Sequence, residues 1–507
     1  MSQLIHSFSK DFFELTARRR TETAIITGQD VDAVEMSYAE LATAVRRCCA
    51  LFDQKGILPG SAIMAIMPNA VDTLVMFYAA LASGVQYAPI ACTATTEEVG
   101  RWLNLVRPSA CFVTNLIQSD VAKLLASRGV MCIDINTNSR FEWLPSDEAQ
   151  RDVAAGKILL GTSGTTGVPK AMVIDGDVLW SSGRAFVDFH SLSNSGARFW
   201  NYLPVSYLGG LFNLGLIPLA TEGSIVMDET FSGKTYLTYW QNVERYGIDT
   251  LWLVPTIVRG LVSLGRVAKR RAVDVDRIVK RCFLGTAPID LATKREFEIM
   301  FGRPLLENFA LSETTFLTSE IASTIANRSE GSTGELLPYV SLSFRQVADA
   351  EMENAAQEIL VKTPFLLDGY LDESGAVSRE TDVEGFFPTG DLGYLNASGA
   401  LVVAGRIRDI IKKGGYFIAL REIEILAESL RGVREAAAVP VCHDFYGESY
   451  VLCIIPEGVA DADFRTRVGR DLRGRLAQYR WPEEVRLVEE LPKTASGKVC
   501  KTVLALK

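Results

Sequence analysis

The feature that most restricts how this chain can fold is a rhythm. From Ser37 onward, apolar runs of strand length alternate with segments of helical period. Ser37-Tyr38-Ala39-Glu40 spells a capping box, with a Glu three residues after a Ser N-cap. The helix it opens runs to Lys55 and stops at Gly56. Residues 62–67 then read as a buried strand, 71–81 as a helix and 86–90 as a strand. A helix near 97–106, a strand at 111–114, a helix near 117–127 and a strand at 131–133 continue the series. Parallel neighbours need a crossover between them, so this order predicts a mostly parallel sheet covered on both faces.

A second block repeats the theme. Residues 157–160 and 171–174 read as strands flanking a Gly/Thr/Ser loop, and 201–203, 224–227, 250–253 and 281–284 as further buried strands. From about 331 to 403 short alternating strands replace the helices. A boundary falls at 406–409, and residues 410–507 carry their own α+β pattern. The predicted fold class is α/β: a large N-terminal domain (1–405) of layered α/β subdomains plus a β-rich subdomain, a hinge at 406–409, and a small α+β C-terminal domain (410–507).

Composition removes several alternatives. With 52 basic and 61 acidic residues the chain lacks the basic footprint of a nucleic-acid binder. The C-terminal 98 residues are faintly basic, with 16 basic and 14 acidic side chains. The most apolar stretch, 73–82, is too short to span a bilayer, and no secretory h-region opens the chain, so the expected location is cytoplasmic with no membrane span. Nine scattered cysteines without a CxxC pair read as buried apolar residues rather than a disulfide frame. Three histidines, none at ligand spacing, argue against a His-built metal site.

The most informative string is Gly161-Thr-Ser-Gly-Thr-Thr-Gly-Val-Pro-Lys170. Its glycines let backbone N–H groups approach an anion. Thr162, Ser163, Thr165 and Thr166 add hydroxyls around Gly164 and Gly167, and Lys170 adds a point charge. It is not a P-loop, because Pro169 and Ala171 stand where a Gly and a Ser/Thr are required.

This string resembles the signature of the ANL superfamily: acyl-CoA synthetases, nonribosomal-peptide adenylation domains and luciferases. Further motifs follow in compatible order: Leu203-Pro204 with Gly209-Gly210, Gly285-Thr286-Ala287-Pro288, Phe309-Ala310-Leu311-Ser312-Glu313, and Thr389-Gly390-Asp391. Gly405-Arg406-Ile407-Arg408-Asp409, Glu422-Ile423-Glu424 and Leu491-Pro492-Lys493-Thr494-Ala495-Ser496-Gly497-Lys498 complete the set. The resemblance spans nearly the whole chain. It implies ATP and Mg²⁺ as cofactors and a carboxylic acid and a phosphopantetheine thiol as partners.

The implied chemistry explains the residue types. A carboxylate attacks the α-phosphorus of ATP, giving an acyl-adenylate and pyrophosphate. The nucleophile is already ionised at neutral pH, so no general base is needed, which suits a chain this poor in histidine. The obstacle is electrostatic: two like charges 4 Å apart repel by about 4 kcal/mol at an effective dielectric of about 20. Lys498 and Mg²⁺ on Glu313, with Ser312 beside it, are the implied catalytic elements. The resemblance gives the nucleotide to residues 162–167, Lys170, Gly285, Thr286, Ala287, Asn308, Phe309, Ala310, Leu311, Asp391 and Arg406. Ala310 departs from the family's Gly at that position.

For the acid, the implied pocket is Tyr207, Gly210, Leu211, Val254, Gly285 and Leu311. No Asp stands in the Val205-Ser206-Tyr207 segment to hold an α-ammonium, which disfavours an amino acid and leaves an aryl or medium alkyl acid. The resemblance also implies a C-terminal domain that rotates between steps, with Arg408 at the hinge position and Gly414-Gly415 in the loop beside the thiol. CoA and an acyl or peptidyl carrier protein present the same thiol, so both acceptors stay open. A catalytically silent binding protein on the same fold is the reading from another class.

Overall fold

The computed structural model describes residues 4–27, 34–137, 141–142, 144–161, 171–268, 275–347, 356–414, 416–493 and 499–505. Two large sheets dominate the N-terminal part. Sheet A has nine strands, in the order Glu335–Leu336, Thr315–Ser319, Leu305–Leu311, Arg281–Leu284, Thr250–Leu253, Arg198–Asn201, Ser224–Met227, Thr23–Thr27 and Val34–Ser37. Its centre is parallel and its two edges are antiparallel. Sheet B has eight strands, in the order Val377–Ser378, Gly369–Leu371, Ala171–Asp175, Lys157–Gly161, Gln86–Ile90, Ala62–Ile66, Ala110–Val113 and Met131–Asp134.

Between the sheets lies the helix Val71–Ala82, all of whose 12 residues are buried. A helix buried on every face has no solvent side, which is why this stretch shows no amphipathic stripe. It joins one core that takes in Ile63, Tyr87 and Ile158 of sheet B with Phe199, Leu251 and Phe283 of sheet A. The outer face of sheet B is covered by the amphipathic helices Thr96–Val106 and Ser119–Ser127, through Val99, Leu103, Val121 and Leu125. No described helix is long and apolar enough to cross a membrane.

Several sequence expectations meet their physical basis here. The capping box is formed: Ser37 N donates to Glu40 Oε2 at 2.7 Å, and Glu40 N to Ser37 Oγ at 3.3 Å. Two expectations need adjustment. The strand expected at 201–203 is Arg198–Asn201, because the chain leaves the sheet at Tyr202. There the Tyr202 hydroxyl donates to Trp252 O at 2.7 Å, and Asn69 bonds Leu203 O and Val205 N in place of a neighbouring strand. The strands expected on either side of the Gly/Thr/Ser loop are present and pair antiparallel, Lys157 with Asp175 through Gly161 with Ala171. All nine cysteines are free; five are buried, but Cys132 and Cys442 are exposed, so burial is not uniform.

A separate antiparallel sheet follows, with strands Ser341–Arg345, Gln357–Lys362, Phe387–Leu395 and Leu401–Arg406. After a short 3₁₀ turn, Ile407–Asp409, a last five-stranded sheet is packed by the helices Leu420–Glu428 and Phe464–Arg475. It has its own core of Ile411, Leu420, Ile423, Leu452, Ile454, Phe464 and Leu472.

Candidate active site

In open α/β sheets, ligands lodge beyond the carboxyl ends of the parallel strands. At that edge of sheet A the chain places its candidate segments side by side. Val254 follows the strand Thr250–Leu253, and Gly285 follows Arg281–Leu284. Gly285 N donates to Leu253 O at 3.2 Å, which ties the two ends together. The next strand, Leu305–Leu311, runs past the edge carrying Asn308, Phe309, Ala310 and Leu311. Asn308 Nδ2 donates to Leu284 O at 2.8 Å. A Cβ on Gly285 would lie 2.7 Å from Asn308 Oδ1, so only glycine permits this approach.

Thr286, next in the chain, sits at φ 75°, a left-handed conformation that β-branched residues rarely adopt. Its buried hydroxyl has no hydrogen-bond partner among the described residues. Strain and an unsatisfied polar atom at one residue mark a place shaped for something other than packing.

The strand Leu305–Leu311 changes partner at Glu307. Leu284 pairs with Glu307 in parallel; from Asn308, opposite Ser319, the pairing is antiparallel. An ionic cluster pins this pivot. The buried Lys294 ammonium lies 2.9 Å from Glu307 and 2.8 Å from Glu320, and Glu307 N donates to Glu320 Oε2 at 2.9 Å. Burial raises the Glu307 pKa, against the opposing pull of Lys294. Sequence reasoning missed Lys294, since one Lys in an amphipathic helix carries no local signal.

The hairpin then presents Ser312 and Glu313, both half-buried. Glu313 is held twice by one segment of sheet B: Leu367 N donates to Glu313 O at 2.8 Å, and the Tyr370 hydroxyl to Glu313 Oε1 at 3.0 Å. Among the described residues no cation and no further side-chain donor reaches this carboxylate. Such a group fits Mg²⁺, which is commonly bound by one or two carboxylates together with substrate phosphates and water. No described cluster of three or more His, Cys, Asp or Glu residues offers an all-protein cage. Burial and the charge of Glu313 push the Tyr207 hydroxyl up to about 12.

Tyr207 belongs to a loop fixed from below. Gly210 and Leu211 start the π-helical segment Gly209–Leu216, and both their N–H groups reach Tyr207 O. Pro218 has no N–H for Leu214 O, four residues back, and Asn201 Nδ2 supplies a donor instead at 3.1 Å, also bonding Gly210 O at 2.9 Å. The wide helical turn is thus built by sequence, and such turns are frequent at functional sites.

Asp391 and Arg406 lie on the four-stranded sheet, opposite each other on adjacent strands. They pair directly, Arg406 Nε to Asp391 Oδ1 at 2.8 Å. Gly390 takes φ 69° with open space around it, so conformation and not crowding demands glycine there. Thr389 Oγ1 donates to Ile359 O at 2.7 Å and accepts from Asp391 N at 3.0 Å, which closes the register shift opposite Ile359. Arg408 is exposed on the turn Ile407–Asp409. Gly414 N donates to Tyr446 O at 3.0 Å. The candidate site residues Thr162, Ser163, Gly164, Thr165, Thr166, Gly167, Lys170, Gly415 and Lys498 lie outside the described residues.

Comparison with known proteins agrees with this architecture. The model of the AMP-binding enzyme family matches residues 12–371, and that of the AMP-binding enzyme C-terminal domain matches 422–498. The sulfoacetate–CoA ligase of Cupriavidus necator is 26% identical over 473 residues, covering 92% of this chain and 91% of its own. The indoleacetate–CoA ligase of Aromatoleum aromaticum is 28% identical over 488 residues, covering 92% of each chain. The structure of ATP-bound MatB from Rhodopseudomonas palustris superposes with a TM-score of 0.85 over 98% of both chains at 25% identity. The chain therefore belongs to the AMP-binding enzyme family, within the ANL superfamily of adenylate-forming enzymes.

Proposed function

We propose that this enzyme is an AMP-forming acid–CoA ligase for an aryl or medium alkyl monocarboxylic acid. One carboxylate oxygen attacks the α-phosphorus of ATP; the acyl–O–P bond forms as the bond to pyrophosphate breaks. The CoA thiol then attacks the acyl carbon, giving the thioester and AMP. CoA is preferred over a carrier protein because three relatives, the sulfoacetate, oxalate and indoleacetate ligases, are CoA ligases.

The observation that carries the reading is the Glu313 carboxylate. It lacks a cationic partner among the described residues, yet is fixed by one hydrogen bond from the Tyr370 hydroxyl, with the Glu313 backbone carbonyl held by Leu367 N, beside the strand bearing Asn308–Leu311. Mg²⁺ held there would neutralise phosphate charge. In this reading residues 162–167 and Lys170 cradle the phosphates, Lys498 bridges the two reacting anions, and Asn308 and Phe309 meet the adenine. Asp391 and Arg406 exchange part of their mutual pairing for the ribose, Arg408 serves as the hinge, and Gly414-Gly415 flank the thiol. Tyr207, Gly210, Leu211, Val254, Gly285 and Leu311 supply the acid pocket and bring no charge to it, which suits a single carboxylate over a dianion.

The test is a panel of carboxylic acids, assayed for acid-dependent pyrophosphate release with and without CoA. The expected outcome is release with aryl or medium alkyl monocarboxylates and thioester only when CoA is present. If no acid yields AMP, the reading is wrong; a preference for dicarboxylates would overturn the pocket assignment alone.

A further inference from the structure

The segment from Leu367 to Leu371 touches both halves of the site. Its strand Gly369–Leu371 pairs antiparallel with Ala171–Asp175, the strand that leaves the Gly/Thr/Ser loop, with Tyr370 opposite Met172. Asp368 N donates to Val173 O at 2.8 Å, and Lys157 Nζ lies 2.7 Å from Asp368 Oδ2. The same segment holds Glu313 of the sheet A hairpin by backbone and by the Tyr370 hydroxyl. Nothing else among the described residues contacts the Glu313 carboxylate through a side-chain hydrogen bond.

We infer that Tyr370 is a positioning residue: its hydroxyl sets the orientation of the Glu313 carboxylate relative to the strand Ala171–Asp175, leaving the other oxygen for the divalent cation of the nucleotide complex. This deepens the proposed function and rests on its assignment of Glu313. A carboxylate on a flexible side chain would otherwise sample several rotamers. One donated hydrogen bond to the charged group removes that freedom and ties it to the strand that exits the loop.

The experiment is Tyr370→Phe, which deletes the hydroxyl and keeps the ring. Mn²⁺ binding to the enzyme with ATP, without acid, is read by electron paramagnetic resonance. The expected result is affinity weakened about tenfold, the usual scale for a hydrogen bond to a charged group. The apparent Mg²⁺ requirement should rise equally, while the KM for acid changes less than about twofold. Tyr370→Phe combined with Glu313→Gln should bind Mn²⁺ no worse than Glu313→Gln alone. Additive losses, or unchanged Mn²⁺ affinity in Tyr370→Phe, would overturn the assignment. If the parent binds ATP but no Mn²⁺, the metal role of Glu313 fails and this assignment with it. A parent that binds Mn²⁺ and ATP yet activates no acid leaves Tyr370's role standing and refutes the ligase reading.

Discussion

Single residues at this site are governed by what burial does to polar groups. His190 shows the principle away from the reacting groups. It is buried against Phe186 and Phe283, with Nε2 3.1 Å from Ser319 Oγ, and desolvation lowers its pKa to about 3. The unfolded chain binds a proton there near the usual value of about 6.5, so below that pH the unfolded state gains protons that the folded state refuses. The stability from His190 is therefore present above pH ~6.5 and is lost as pH falls toward about 3, by about 1.4 kcal/mol per pH unit. His190→Gln should keep a partner for Ser319 and flatten that part of the acid limb in urea denaturation at pH 4–7. An unchanged slope would show that other groups set the limb.

Strands and hairpins set the spacing between those residues. The contact of Gly285 with Asn308 joins the end of one strand to the middle of its neighbour. Gly285→Ala would place a methyl 2.7 Å from Asn308 Oδ1 and force that amide off Leu284 O. Overpacking of this kind costs about 1–3 kcal/mol. The expected signature is an ATP KM raised about tenfold or more with a smaller change in acid KM; equal changes in both would place the strain elsewhere. The Lys294 cluster belongs to the same scale. It fixes the residue at which Leu305–Leu311 leaves one neighbour for another, and so decides which side chains pass the sheet edge.

The whole molecule adds the relation between the large N-terminal part and the C-terminal sheet. The helix Pro255–Ala268 meets the latter twice. Arg266 Nη1 lies 2.6 Å from Glu457 Oε1, an exposed pair; Arg259 reaches Glu428 at 3.8 Å, where the carboxylate is 7% exposed. An exposed pair contributes about 0–1 kcal/mol, whereas stripping a partner from a buried carboxylate costs more, about 3 kcal/mol at full burial. Arg421 also lies 3.7 Å from Glu428, which reduces that cost. Arg259→Ala should therefore speed proteolysis of the 406–409 connection more than Arg266→Ala. The reverse order would mean that the exposed pair holds the two parts together.

Much of this protein was legible in the chain. The element rhythm, the capping box, the helix at 71–81 and the β-rich segment all follow from local periodicity, because local backbone preferences and side-chain period act over a few residues. The ordered motifs likewise place Gly285, Asn308–Leu311 and Glu313 at loop and strand ends. What the chain could not reveal are couplings between distant positions. Tyr370 on Glu313, Asn201 beneath the π-helical turn and Lys294 between two carboxylates each involve a side chain whose neighbours in sequence look ordinary, and the motifs that carry Arg406 and Asp391 do not show that the two pair. The antiparallel pairing of Lys157–Gly161 with Ala171–Asp175 belongs with them. Pattern fixes which face a residue presents, but only the packed sheets decide which two faces meet, since that choice depends on the summed burial of the entire core.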